Sequence, residues 1–519
     1  MRTDLVLAAL LLAGPLLAGP LHAGPAFRPV NVPAHVYAGG WAYFVGGGIA
    51  AFDCNGDHLP ELFAAGGTNP AILLKNRSVR AGALAFVDAT PPELALKHVI
   101  GAYPLDIDSD GITDLAVLRL GKNLLLKGLG NCRFKAMTGL GFKSGARWST
   151  AFSATFERGQ TLPTLAFGNY VDRANPKGPF KACDINLLYR PKGGLYPAPT
   201  PLRPAFCPLS MLFSDWGRTG RADLRISNDR HYYVTGGQEQ LWAMEPQPRL
   251  YTARDGWRRQ MLWGMGIASR DITGDGVPEI YLSSMGDQKL ETRLPGADGP
   301  AYGIVPFSRG TAAQRPYTGG DGRPSTGWQI SFGDVNNDGR DDVFISKGNV
   351  DQMMNSAIDD PNNLLMQGAD GRFHEAGKAA GVASLARARG AVLTDLNLDG
   401  RLDLALVNRR APLEVYQNLS KTSGGWLELA LAQRAPNVNA IGAFIEVRTA
   451  AGTQTREITV GGGHASGRLG AEHFGLGSAK DARIRVTWPD GRKSRWITLA
   501  RNQAMVLRRD KGELALMPY

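Results

Sequence analysis

Acidic residues at fixed spacing are the first chemistry this sequence offers. In residues 106–115, DIDSDGITDL, carboxylates stand at loop positions 1, 3, 5 and 9 as Asp106, Asp108, Asp110 and Asp114, with Gly111 at position 6. Oxygen ligands at alternate positions, around a glycine that permits a sharp turn, suit a hard cation such as calcium. The loop runs directly into apolar LAVL, a strand-like segment, so it is not the twelve-residue loop found between two helices.

The pattern returns as Asp53, Asn55, Asp57 and Glu61; as Asp271, Thr273, Asp275 and Glu279; as Asp334, Asn336, Asp338 and Asp342; and as Asp395, Asn397, Asp399 and Asp403. Two worn copies fill the gaps, one keeping Asp215 and Asp223, the other only Glu157. First positions recur every 50 to 63 residues, and a period of that length with several short strands per unit is expected of propeller blades. Seven copies predict an all-β, seven-bladed β-propeller over residues 40–420, with Ca2+ in five of its loops.

The elements that must hold these loops are read from the first copy. Residues 49–52 make an inner strand, the loop follows, 61–65 return, and 71–75 and 86–88 supply the third and fourth strands. Because strands alternate in direction, the connection after the second strand emerges on the face away from the metal loops. Thirteen residues beyond each first position lie Gly66, Arg119, Asn169, Asn228, Ser284, Lys347 and Asn408, beside Tyr170, Arg230, His231 and Arg409. Loops on a rigid scaffold usually carry binding groups, so Arg119, Asn169, Tyr170, Asn228, Arg230, His231, Asn408 and Arg409 form the candidate ligand face. The competing reading is that Asn and Gly simply end strands well. Two long connections, 172–207 and 286–326, are placed to lean over the central channel.

The 65 glycines and 32 prolines favour a turn-rich β chain. Residues 5–19 form an apolar run behind Arg2 that ends near Ala23, which reads as a cleaved signal peptide over residues 1–23 and export to the periplasm or beyond. No later stretch is long enough for a transmembrane helix. Cys54, Cys132, Cys183 and Cys207 are an even set, as disulfides in an exported protein would be; of three possible pairings, Cys183 with Cys207 staples a long connection and leaves Cys54 with Cys132.

After Asn418 the acidic loops stop. Alternating segments such as WLELAL, AFIEVRT and RIRVTWP predict a small β-sandwich over residues 424–519. The repeats resemble FG-GAP repeats of integrin-type propellers, and IGAFIEVRTAAG, GGGHASGRLGAEHFGLGSA and IRVTWPDGRKSRW resemble the ASPIC/UnbV domain. Together they resemble the cartilage-acidic-protein-like family, which implies the propeller fold and calcium at the loops but no defined reaction. Relative to that pattern, His58 replaces the usual glycine of the first loop, and the four-carboxylate loop 106–114 is expected to bind most strongly.

The net charge of +11 is high for a chain with so many carboxylates committed to metal. It favours an anionic glycan or protein partner; nucleic acid fits the charge but not the export signal. No GxSxG, HExxH, P-loop or zinc-like Cys/His spacing occurs. His464 and His473, nine residues apart with no third ligand, read as loop or core residues. The expected function is therefore a non-catalytic calcium-binding protein. The alternative is a lyase-like enzyme on acidic polysaccharide using His231, Tyr232 and an arginine-rich mouth.

Overall fold

The computed structural model describes residues 24–178, 181–229, 234–510 and 512–519; the expected signal peptide lies outside them. Among these residues the chain forms seven successive four-stranded antiparallel meanders. In the first, Ile49–Phe52, Glu61–Ala64, Ile72–Asn76 and Phe86–Asp88 match the strands read from sequence to within a residue. Their first two strands are buried on both faces, which explains the continuous apolar runs IAAF and ELFA, where a half-exposed strand would alternate.

The first strands of the other meanders are Val99–Leu105, Ala146–Thr155, Pro208–Ser214, Gly264–Arg270, Gly327–Gly333 and Ala388–Thr394. Each lies against the first strand of the next meander, and Ala388–Thr394 returns to Ile49–Phe52. The last meander takes its outer strand from the other end of the chain: Phe27–Val30 pairs antiparallel with Glu414–Asn418, with Phe27 opposite Asn418. In meanders two to seven the pairing of first and second strands slips near the same end, for example between Val99 and Gly101 and between Ala388 and Ala391. A bulge repeated at one position bends the strand and sharpens its twist where the chain enters each meander.

Two disulfides are present, Cys54–Cys132 and Cys183–Cys207. The connections 172–207 and 286–326 are not free lids. They contain the outer strands Asn186–Tyr189 and Thr200–Leu202, and Lys289–Arg293 and Tyr302–Ile304. Apolar positions in both stretches found partners on the preceding strand, which a reading as loops had overlooked.

From Gly425 the chain builds two further sheets. One has the order Glu472–Gly477, Gly425–Ala432, Gln503–Asp510, Glu513–Pro518; the other Gly452–Glu457, Phe444–Thr449, Asp481–Thr487, Ile497–Ala500. Leu427, Leu429, Ile445, Val447, Phe474, Ile484 and Val486 from both sheets share one core. The segment between the two sheets leaves them and runs along the inner strands of the meanders. Ala154 donates to Val460 O at 3.1 Å, Gly462 donates to Met211 O at 2.6 Å, and Gly463 donates to Ile267 O at 2.7 Å. Gly467–Leu469 then pairs parallel with Ile49–Phe52. Glycines make room for it: a Cβ on Gly48 or Gly101 would sit 1.8 or 2.0 Å from the Ala465 carbonyl oxygen.

Candidate metal loops and the opposite face

Each acidic loop joins the first and second strands of its meander. The first-position aspartate closes the loop on its own backbone. Asp106 accepts from the N–H of Asp110 at 3.2 Å and Gly111 at 2.7 Å; Asp334 accepts from Asp338 at 3.0 Å and Gly339 at 2.7 Å; Asp395 accepts from Asp399 at 3.2 Å and Gly400 at 2.6 Å. The ninth-position carboxylate ties the loop to the strands: Asp114 accepts from Ile107 N–H and Gly128 N–H, both at 2.8 Å. Position 6 needs a left-handed backbone, which Gly111 provides at φ 88° and His58 adopts at φ 67°.

Apart from Asp53, the first- and ninth-position carboxylates are buried and crowded together. Burial, reinforced by neighbouring carboxylates, pushes Asp106 up to about 6 and Asp114 to about 7, and Glu61 and Glu279 also to about 7. Asp334, Asp342, Asp395 and Asp403 are likewise raised by burial and by repulsion from neighbouring loop carboxylates. Asp108 Oδ1 and Asn397 Oδ1 are buried without a donor, and Asp106, Asp108 and Asp114 each bring an oxygen within 4.8 Å of the others. Oxygen-only donors, crowded and partly orphaned, fit a calcium ion.

Cationic side chains stand at the rim of three loops. Lys127 bridges Asp108 and Asp110, the latter at 2.7 Å; Arg340 meets Asp338 at 2.5 Å; and Arg401 pairs with Asp399. In the worn loops, donors satisfy the carboxylates that remain. Asp223 accepts from Trp216 Nε1 at 3.1 Å, Arg221 Nε at 3.0 Å and Tyr251 Oη at 2.8 Å; Glu157 accepts from Arg190 Nε at 2.8 Å.

The C-terminal sheets pack over this loop face. Gly477 donates to Asn337 O at 3.1 Å, Asn437 N–H to Ser109 Oγ at 3.0 Å, and Asp215 N–H to Glu457 Oε1 at 2.7 Å. Arg456 pairs with Asp341 at 2.9 Å, and the rings of His58 and Tyr519 lie 4.5 Å apart. Between these sheets and the inner strands a cavity of about 170 Å³ remains, lined by Arg270, Arg456, Arg468, Glu457, Glu472 and Gln329. Its arginines face carboxylates, with Arg270 3.7 Å from Glu472. His473 meets Gly400 O at 3.2 Å, whereas His464 lies among the inner strands, so the two histidines share no site.

On the opposite face, the residues read at one offset do share a register position. Arg119, Asn169, Asn228, Ser284, Lys347 and Asn408 pair with Val99, Ser149, Pro208, Gly264, Gly327 and Ala388. The asparagine amides are spent locally: Asn169 donates to Ile185 O at 2.6 Å, Asn228 to Gln238 O at 2.8 Å and Asn408 to Pro412 O at 2.8 Å. Arg119 reaches Lys97 O at 3.1 Å. Tyr170 is buried and donates to Asp229, and Arg409 is buried against Asp351 at 2.7 Å. Arg230, His231 and Tyr232 lie outside the described residues.

The segment that covers this face is one the sequence did not single out, residues 39–48. Arg409 Nη2 donates to Gly39 O at 3.1 Å, Arg389 Nε to Phe44 O at 2.9 Å, and Tyr37 Oη to Val45 O at 2.8 Å. The only hint in sequence was the dense run of small and aromatic residues AGGWAYFVGGG, whose glycines allow close approach of backbone to backbone.

Residues 433–514 match the family described as ASPIC and UnbV. Over 234 residues the chain is 29% identical to Cartilage acidic protein 1 of Mus musculus, covering 44% of this chain and 34% of that protein. Over 234 residues it is 27% identical to the Homo sapiens protein of the same name, covering 44% and 33%. The chain thus spans about a third of the length of these curated relatives. Among solved structures, BBS1N in complex with ARL6DN, soaked with mercury, aligns at 9% identity and a TM-score of 0.41, over 75% of this chain and 96% of that one. At that score the alignment carries no argument.

Proposed function

We propose that the seven meanders form a closed propeller of FG-GAP-type repeats, that five of its loops hold calcium, and that the exported protein is a non-catalytic binder of an anionic glycan or protein partner. Residues 40–420 are the ring, closed by Phe27–Val30, and residues 424–519 are a sandwich seated on it. The return of Ala388–Thr394 to Ile49–Phe52 supports closure. The calcium sites would use the first, third, fifth and ninth positions of each loop, where the ion neutralises crowded carboxylates and ties two strands together. The disulfides suit an oxidising compartment, periplasmic or extracellular. Among the described residues no helix is long and apolar enough to cross a membrane.

One observation carries the binding role: the C-terminal sheets cover the loop face and residues 460–469 run along the inner strands, whereas on the opposite face, around the covering segment 39–48, Arg410 and Trp41 stay exposed. The net charge of +11 supports an anionic partner. The test is binding of the calcium-loaded protein to acidic and neutral glycans, with chelated protein as control and each hit checked for product release. Retention of acidic glycans without products is expected; shortened or unsaturated products would overturn the non-catalytic reading.

A further inference from the structure

Arginine is crowded around a single acid on the face away from the loops. Asp351 Oδ1 accepts from Arg409 Nη1 at 2.7 Å, Arg410 Nη1 at 3.2 Å and Arg387 Nη1 at 3.3 Å. Three guanidinium groups thus converge on one carboxylate oxygen. Beneath them Arg389 is fully buried, held by Val350 O at 2.7 Å, Phe44 O and Ala388 O at 2.9 Å, and the face of Trp328 at 4.0 Å. Among the described residues it has no carboxylate within ion-pair distance. Four positive charges therefore answer to one negative charge, which leaves a strong local excess.

The donors are not all used. Arg409 is spent within the protein, on Asp351, Gly39 O and Tyr43 O. Arg387 and Arg410 are different: their side chains are 25% and 47% exposed. The Nε and Nη2 edge of Arg387 has no partner among the described residues. That planar edge, two parallel N–H groups beside an excess of charge, is the fork that grips a carboxylate or sulfate by two oxygens.

An exposed aromatic side chain follows closely in the segment that Arg409 and Arg410 hold. The backbone carbonyl of Gly39, which Arg409 and Arg410 both reach, is two residues from Trp41, a reach of about 7 Å at most. Trp41 is 38% exposed, and its ring is braced edge-on by buried Trp148 at 5.1 Å, itself braced by Tyr170 at 5.0 Å. A large indole held partly in solvent, instead of folded into the core, offers a flat apolar surface on the same face as the cationic seat.

We propose that the Arg387–Arg410 cluster seats the anionic group of an acidic polysaccharide, while Trp41 supports an adjoining sugar ring. A uronate carboxylate and a sulfate ester share the chemistry, and the platform argues for a sugar over an acidic peptide, whose charge alone would satisfy the arginines. This rests on the binding role proposed above and names its subsite and ligand class.

The full calcium-loaded chain is tested against polygalacturonate, dextran sulfate, neutral dextran and polyglutamate. The wild type should hold one or both acidic polysaccharides and not dextran, the tighter of the two identifying the anion. Arg387→Gln and Arg410→Gln should each weaken that binding about tenfold, as loss of one charge-assisted contact does. Arg387→Lys should recover only part, since it restores charge without the fork. Trp41→Ala should weaken polysaccharide about tenfold and leave any polyglutamate binding unchanged. Arg492→Gln, in the exposed turn between Asp481–Thr487 and Ile497–Ala500, should bind as wild type. Melting temperatures within a few degrees of wild type establish that each variant is folded.

Wild-type retention undiminished in both arginine variants would overturn this seat while leaving the wider binding role standing. Polyglutamate bound as tightly as polysaccharide, with Trp41→Ala without effect, would overturn the glycan assignment in favour of an acidic protein partner. Failure of the wild type to bind any acidic probe would overturn both readings.

Discussion

His464 Nε2 accepts a hydrogen bond from the backbone N–H of Gly46 at 3.1 Å, across 418 residues of chain. The ring nitrogens therefore have assigned roles: Nδ1 carries the proton and donates to Met265 O at 3.1 Å. Trp328 meets the imidazole edge-on at 4.9 Å. The C-terminal segment and the N-terminal loop thus meet among the inner strands from opposite faces, and a neutral histidine joins them. A metal role, or a solvent-facing one, would need a nitrogen that this geometry has already spent.

Acid should loosen that junction. Burial pushes His464 down to about 3, far below its ordinary 6.5, because the interior disfavours a charged ring, and a protonated ring would also lose its acceptor nitrogen. The sign follows from linkage: the folded state binds fewer protons than the unfolded one. The stabilisation is complete above pH 6.5 and is lost as pH falls toward 3, by roughly 1.4 kcal/mol per unit. Denaturation midpoints measured from pH 7.5 to 4.5 should show this fall, and His464→Gln should flatten it while lowering stability at pH 7.5. An identical pH profile in the variant would refute the assignment.

At the loop expected to bind calcium best, Lys127 would compete with the ion. Its ammonium bridges Asp108 and Asp110 from the neighbouring strand, contributing the charge a cation would otherwise supply. Lys127→Met should therefore tighten calcium binding at this loop, and Asp110→Ala should lower the melting temperature measured in calcium. Chelation should lower the wild-type melting temperature too, since a ligand bound only to the folded loop at about 100 times its dissociation constant contributes about 2.7 kcal/mol. Melting curves unmoved by chelator and by Asp110→Ala would count against metal in this loop.

The strands of the first meander were legible because apolar runs and turn residues alternate within one short unit, and the acidic loops marked where each unit turns. Local periodicity carries that information. What could not be read was anything set by contacts between distant parts of the chain. The tail segment 460–469 is rich in glycine and carries no strand pattern of its own, yet its backbone is paired with inner strands hundreds of residues earlier. Asn169, Asn228 and Asn408 share one register position, but only their bonds to Ile185, Gln238 and Pro412 show the amides to be occupied. Arg387 and Asp351 lie on different connections, and nothing local to either marks their convergence.

Reducing agent should destabilise the protein by an amount that depends on which bridge is cut. Cys54–Cys132 closes a separation of 78 residues and Cys183–Cys207 one of 24. On loop entropy the first contributes about 4–5 kcal/mol and the second about 3–4. The longer bridge also ties the first acidic loop to the second meander, with Cys132 N–H donating to Cys54 O at 2.9 Å. The double variant Cys54→Ala/Cys132→Ala should thus lose more in urea denaturation than Cys183→Ala/Cys207→Ala. The reverse order would mean that native packing outweighs chain entropy here.

The tail segment's place among the inner strands gives the sharpest test of the architecture. Gly48 and Gly101 lie on different meanders, yet an added methyl on either would press within 1.8 to 2.0 Å of the same Ala465 carbonyl oxygen. Backbone on both sides leaves no flexible side chain to yield, so the added volume forces the segment to shift. Gly48→Ala and Gly101→Ala should each cost about 1–3 kcal/mol, the range for overpacking a filled core. At Gly111, on the loop rim, a Cβ would meet nothing within 4 Å; Gly111→Ala would lose stability only through its positive φ, and chiefly at the calcium-dependent step. If instead the C-terminal sheets merely rested on the loop face, with residues 460–469 outside the ring, Gly48→Ala would leave the urea midpoint unchanged.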